Sequence, residues 1–271
     1  MVFWRNQLSQ YSRLEIEGYK LDFAEDVIAG VSGKRSGWTF ENGATDRTMT
    51  DGYPRAYHAV YRATLANNDG FLLVRATRWG EQASGVVVWP GDIDATLTRF
   101  GETFMTRGGE NVVGVGGLPS AIRAGVSLSM SGFPFFAADT GGYRHSPPDK
   151  ETFIRWTQQS ALMPVMQTGD SSSQPPWVYT PENGRDAEAL ETYRFFSRLH
   201  LRLFPFFWAQ VRSMRDTGRP IVRAFGLAFP RLGVHPEDQY LLGDALLVAP
   251  VETRGATSRS VVKPPGRWFN F

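Results

Sequence analysis

The chain of 271 residues contains no cysteine. Disulfides, thiolate nucleophiles and cysteine-ligated zinc are therefore excluded. Histidine is scarce as well: His58, His145, His200 and His235 are the only four. No two of them stand at the spacing of a metal-binding pair, so no metal site is expected. No apolar run approaches the roughly 18 to 20 residues of a membrane-crossing helix, and no membrane partner is expected. The opening MVFWRNQLSQ lacks a basic segment followed by an apolar core, so it does not read as a signal peptide. Compartment and oligomeric state stay open. Excess charge of one sign is also missing, since the formal net charge is +2 with basic residues scattered along the chain. A nucleic-acid partner is not indicated.

Hydrophobic residues make up 42% of the chain and charged residues 21%. That balance belongs to a globular protein with room for one large or two small domains. Aromatics reach 13%, with eight tryptophans. Such a content serves a large core and equally a pocket that stacks on sugar rings.

Strand-like and helix-like patterns alternate along the chain. LEIEGYKLDF, FLLVRAT, GVVVWPGD, FPFFAADTGG, ALMPVMQTGD and RPIVRAFGLAF read as strands. PRAYHAVYRATLAN, LPSAIRAGVSLSM and DKETFIRWTQQSA read as helices, the last capped by Asp149. Ala187 to Asp216 reads as a long helical region kinked or broken at Pro205, with LFPFFW as core. TGDSSSQPPWVYTPENGRD is a long surface excursion, and DQYLLGDALLVAPV with SVVKPPGRWFNF reads as further strands without helices between them. The expected organisation is a barrel portion over 1–236 and the first strands of a C-terminal β-domain over 237–271.

Alternation of this kind argues for a parallel sheet with helices outside it. The expected strands end in Asp22, Arg75, Asp92, Asp139 and Gln167. In a (β/α)8 barrel, functional side chains gather at those C-terminal strand ends. Six strand candidates fall short of the eight that close a barrel, so the fold class is α/β with an incomplete (β/α)8 TIM barrel.

Asp22, in YKLDFAED, and Asp92, in VVVWPGDIDAT, are the candidate carboxylate pair. Retaining glycosidases need two carboxyl groups about 5 to 5.5 Å apart, one as nucleophile and one as acid/base. A solvated strand end is the plainer reading of either aspartate. Asp92-Ile93-Asp94 also spells the DxD of metal-dependent glycosyltransferases, although no Gly-rich nucleotide loop accompanies it. Asp94 is expected to cap the turn after Asp92. Gly114-Val115-Gly116-Gly117 lacks the spacing of a phosphate loop and reads as a plain turn.

Five motifs, in order, resemble glycoside hydrolase family 31, the α-glucosidase and α-xylosidase family. KLDFAE is similar to the family's nucleophile motif and RATRWGEQASGVVVWPGD to its acid/base segment. FFAADTGGY, FIRWTQQSALMP and GDALLVAPV match the later ones. The resemblance implies Asp22 as nucleophile and Asp92 as acid/base, acting on an oligosaccharide or other α-glycoside without a cofactor. It implies that Lys20, Arg75, Trp89 and Asp139 bind substrate, with Arg75 pairing Asp22, and that Glu25 and Arg155 support the site from behind. Lys20 is similar to the α-xylosidase-like branch.

Two departures stand out. Met166-Gln167-Thr168-Gly169 occupies the place where the family carries Arg-x-His. The family's first barrel strands and N-terminal β-sandwich are expected before YKLDF and are not in this chain. A non-catalytic, sugar-binding remnant is therefore the alternative from outside the enzyme class.

Overall fold

The apolar run Phe71-Leu72-Leu73-Val74 forms a short strand whose last three side chains are buried. β-Branched and aliphatic residues suit a strand covered on both faces, as in a parallel sheet. A computed structural model of the protein describes residues 2–29, 37–65, 70–168, 180–181 and 184–271. Gly169 and most of the Ser/Pro-rich excursion lie outside the described residues. The chain divides into two compact units, Met1–Gly91 and Asp92–Phe271.

The first unit holds helix α1 (Val2–Ser12), strand β1 (Gly18–Leu21), the single turn α2 (Asp26–Ala29) and helix α3 (Asp46–Arg62). Strand β2 (Phe71–Val74) and strand β3 (Val87–Val88) complete it. The three strands are parallel in the order β1-β2-β3, with Leu21 opposite Val74 and Val74 opposite Val88. Helix α3 connects β1 to β2 and packs on β2, the arrangement a parallel pair requires. Thr45 opens α3 through a reciprocal capping box with Thr48, which satisfies amides that the first turn leaves without partners. The alternation in LEIEGYKLDF predicts a longer strand than forms. Residues 13–15 are a turn, Glu15 has a positive φ of 58°, and pairing starts only at Gly18.

The second unit begins with an antiparallel hairpin, β4 (Thr103–Met105) and β5 (Asn111–Val113), that periodicity does not announce. Helices α4 (Leu118–Met130), α5 (Lys150–Ser160), α6 (Ala187–Arg202) and α7 (Phe204–Thr217) follow. Strand β6 (Val222–Ala224), the turn α8 (Phe225–Ala228) and strands β7 (Tyr240–Leu242) and β8 (Leu246–Val248) close the unit. The last three strands form an antiparallel sheet in the order β6-β7-β8. One core joins Leu118 and Ile122 of α4, Trp156 of α5, Phe207 of α7 and Tyr240 of β7. Each such side chain, fully buried, contributes roughly 1.5–3 kcal/mol.

Several expectations change here. FPFFAADTGG and ALMPVMQTGD form no ladder among the described residues but meet at an isolated parallel bridge, Asp139 to Gln167, because Pro134, Pro164 and the glycine pair shorten any ladder. RPIVRAFGLAF is a strand for three residues and then turns into α8. SVVKPPGRWFNF forms no strand. Instead the buried Gln239 side chain takes both Val262 backbone groups, accepting from its N–H at 3.0 Å and donating to its carbonyl at 2.7 Å. The long helix does break: Leu203 ends α6 and begins α7, with Pro205 in the first turn, where a missing N–H costs nothing. LFPFFW is only half core, since Leu203 and Phe207 are buried while Phe204 and Trp208 stay exposed.

Candidate active site

Parallel register brings three residues of the first unit to the C-terminal edge of its sheet. Asp22, Arg75 and Trp89 each follow the last paired residue of β1, β2 and β3. The Arg75 N–H donates to Leu21 O and the Trp89 N–H to Val74 O, both at 3.1 Å, so the ladder fixes their backbones. The Arg75 guanidinium then bridges two carboxylates, with Nη1 at 3.0 Å from Asp22 Oδ1 and Nε at 2.5 Å from Glu25 Oε1. A planar fork is suited to holding two carboxylates at once. Gly91 permits the approach: at φ 76°, a Cβ there would stand 2.8 Å from Arg75 Nε.

Backbone strain is concentrated beside Asp22. Phe23 and Ala24 adopt positive φ angles of 61° and 82° in succession. Non-glycine residues pay of order 1–3 kcal/mol for such conformations, which are found where a site dictates them. The Phe23 N–H donates to Asp22 Oδ1 at 2.7 Å, and the Phe23 ring lies under the Arg75 guanidinium, 5.2 Å from ring to cation. Asp22 is thus held by a cation and an amide while remaining half exposed. Lys20 sets its ammonium 4.6 Å from the centre of the buried Trp89 ring. The Trp89 indole N–H has no hydrogen-bond partner among the described residues.

Tyr57 is a neighbour that sequence reasoning misses. Burial pushes its hydroxyl pKa well above the ordinary value, with Tyr61, Tyr53 and the Asp22 carboxylate adding to the effect. Tyr53 and Tyr57 stack at 6.3 Å, Tyr57 meets Tyr61 edge-on at 5.1 Å, and Tyr61 meets Tyr19 of β1. The signal is the spacing of four residues between tyrosines 53, 57 and 61, one face of α3.

In the second unit, Asp92 is half buried and begins the segment that leads to the hairpin. Asp139 is buried and paired by its bridge with Gln167. The Thr140 N–H and hydroxyl both donate to Gln167 O, at 3.1 and 2.6 Å, and Gln167 Nε2 donates to Ala137 O at 3.1 Å. The two segments therefore run side by side, as neighbouring barrel strands would.

Asp94 does not cap the turn after Asp92. It is fully buried, and its Oδ2 accepts the N–H groups of Val115 and Gly116 at 2.7 and 3.1 Å. Those amides, the ones a phosphate would need, are thereby occupied. A DxD metal site would also need the carboxylate that Asp94 spends here, and no group of three or more His, Asp or Glu suited to a metal occurs among the described residues. Arg155 lies on α5, paired with Glu151 at 3.6 Å and donating to Ala256 O at 2.6 Å. It also lines a cavity of about 770 Å³ between α5, α6, β8 and the C-terminal residues. None of the other expected site residues lines that cavity.

A parallel three-stranded sheet with a helical crossover and an Asp–Arg–Glu cluster at its C-terminal edge is the class of an α/β enzyme domain, and part of a (β/α)8 barrel has this form. Residues 1–210 match the "Glycosyl hydrolases family 31 TIM-barrel domain", and residues 218–271 match the "Glycosyl hydrolase family 31 C-terminal domain". The chain belongs to glycosyl hydrolase family 31, as its motifs suggested. An isomaltosyltransferase of Sporosarcina globispora is 28% identical over 94% of this chain and 22% of its own length. An α-xylosidase of Emericella nidulans is 28% identical over 92% of the chain and 29% of its own length. A cycloalternan-degrading enzyme of Trueperella pyogenes, solved with a covalent intermediate, superposes with a TM-score of 0.74 at 26% identity, over 94% of this chain and 33% of that one. The chain thus spans under a third of the length of the two curated relatives.

Proposed function

We propose that this chain carries the catalytic centre of a retaining enzyme acting on α-linked glucosyl or xylosyl groups. The observation that carries the reading is the Asp22–Arg75–Glu25 cluster at the strand ends. A carboxylate that must attack has to stay ionised and aimed. A cation and an amide N–H supply both conditions at Asp22.

In the first step, an Asp22 oxygen bonds to the anomeric carbon as the glycosidic C–O bond breaks. The leaving oxygen takes the carboxylic proton of Asp92. In the second, a water loses its proton to the Asp92 carboxylate and attacks the anomeric carbon, which releases Asp22. A sugar hydroxyl in place of that water gives glycosyl transfer, the reaction in the name of the S. globispora relative. The covalent intermediate in the T. pyogenes structure supports the two-step route. Lys20, Trp89 and Asp139 are the proposed sugar contacts.

The test is trapping. A 5-fluoro-α-glycosyl fluoride is incubated with the full chain, and the adduct is mapped by peptide mass. Label on Asp22 is expected. Label on another carboxylate, or release of product with inverted anomeric configuration, would overturn the reading. Neither label nor turnover would favour the non-catalytic remnant.

A further inference from the structure

Asp94 is a fully buried carboxylate that the proposed reaction does not use. It joins three backbone segments. Its Oδ2 accepts from Val115 and Gly116, at the base of the β4–β5 hairpin. Its Oδ1 lies 3.0 Å from His145 Nδ1 and 3.8 Å from Arg144 Nε, in the loop that follows Asp139.

The backbone repeats the same triangle. The Asp94 N–H donates to Gly116 O at 2.9 Å, and the Ala95 N–H donates to Arg144 O at 2.7 Å. Tyr143 and Arg144 both donate to Ile93 O, at 2.9 and 3.0 Å. The segments approach so closely that side chains are excluded at two places: a Cβ at Gly142 would stand 2.5 Å from Ala95 Cα, and one at Gly117 would stand 2.1 Å from Thr96 O. His145 reaches Asp94 from a positive φ of 60°, a conformation that costs free energy and is kept by its surroundings. The His145 ring also meets Phe104 of the hairpin edge-on at 5.2 Å.

We propose that Asp94 is the positioning residue for Asp92, a latch that fixes residues 93–95 between the hairpin base and the loop after Asp139. Anchoring begins one residue beyond Asp92, so the direction of the acid/base carboxylate is set by Asp94. The latch rests on the assignment of Asp92 as acid/base; the fastening of 93–95 does not. An unmade bond to a buried amide is costly, so removal of the carboxylate releases the loop.

The experiment uses Asp94→Ala, Asp94→Asn and Asp92→Ala in the full chain. Amide exchange is followed over residues 92–96 and 113–117, and turnover is measured on aryl α-glycosides with good and poor leaving groups. Asp94→Ala should accelerate exchange in both segments and lower kcat by about 100-fold on poor leaving groups, with a loss under about 10-fold on activated ones. Asp94→Asn keeps an acceptor for the two amides and should restore most of both. Unchanged exchange in Asp94→Ala would overturn the latch, as would equal losses on the two substrate types. Absence of leaving-group dependence in Asp92→Ala would instead remove the acid/base assignment, and the exchange result would still decide the fastening.

Discussion

Asp22 and Arg75 are the first residues beyond two paired parallel strands, and the guanidinium donates to the carboxylate at 3.0 Å. The bond exists because Leu21 and Val74 are opposite each other in the register. A slip of one residue in either strand would send one partner to the other face. Arg75 also holds Glu25, so one guanidinium serves both carboxylates.

Replacing Asp22 by Ala should abolish turnover on every substrate, including those with activated leaving groups, because it removes the proposed nucleophile. Arg75→Ala should lower kcat/KM by about 100-fold or more through misplacement of Asp22. Arg75→Lys should recover little of it, since an ammonium cannot bridge two carboxylates in a fork. Steady-state kinetics decide. A fully active lysine variant would show that charge alone suffices.

Gly91→Ala should damage the site and the fold together. The residue sits at φ 76°, and the new Cβ would meet the Arg75 guanidinium at 2.8 Å. Left-handed backbone costs a non-glycine residue about 1–2 kcal/mol. Denaturant melts should show that loss, with a fall in kcat/KM beyond it. A variant that melts early but keeps full activity would mean that Arg75 does not depend on Gly91.

Glu252 is buried and receives both Arg123, at 2.8 and 3.0 Å, and Arg99, at 3.2 Å. The hydrogen bond to Glu252 outweighs burial and holds the Arg123 pKa above its ordinary value. Glu252→Ala should cost about 2 kcal/mol, less than a wholly buried pair because the arginines are partly solvated. Chemical denaturation measures it. A change within about 0.5 kcal/mol would place this network among surface pairs.

Asp149 caps α5 and binds Arg254 at 2.7 Å. Burial disfavours its charge, but Arg254 and the Thr152 N–H prevail and hold its carboxyl below the usual value. A depressed carboxyl contributes stability above the unfolded pKa, about 3.9, and loses it as pH falls through the folded value. Asp149→Asn keeps the capping acceptor and removes the charge. Its melting temperature should fall slightly below that of the wild type at pH 7, with the gap narrowing below about pH 4. A gap that widens in acid would contradict the sign.

Phe204 and Trp208 stack at 6.4 Å on the exposed side of α7, and Phe3 and Trp4 are exposed on α1. Exposed aromatic clusters favour association. Light scattering of the chain should show self-association, reduced in a Phe204→Ser, Trp208→Ser double variant. A monomeric wild type would refute this.

The sequence by itself determined the parallel strands of the first unit, the helices Leu118–Met130 and Lys150–Ser160, the N-cap at Asp149, the break near Pro205 and the polar residues Asp22 and Arg75 at two strand ends. Each of these follows from side-chain period, turn chemistry or proline geometry, which act within a few residues. KLDFAE and WPGD were legible through their resemblance to the family's motifs. The resemblance implied that Arg75 pairs Asp22. Only the tertiary structure decided that the same guanidinium also holds Glu25, that Tyr57 lies near the Asp22 carboxylate, and that Asp94 serves Val115, Gly116 and His145. It also decided that Gln239 replaces a strand partner for Val262 and that Trp208 faces out of the core. These depend on register and on contacts between residues far apart in the chain, where free energy comes from burial and closure of distant segments and leaves no local period to read.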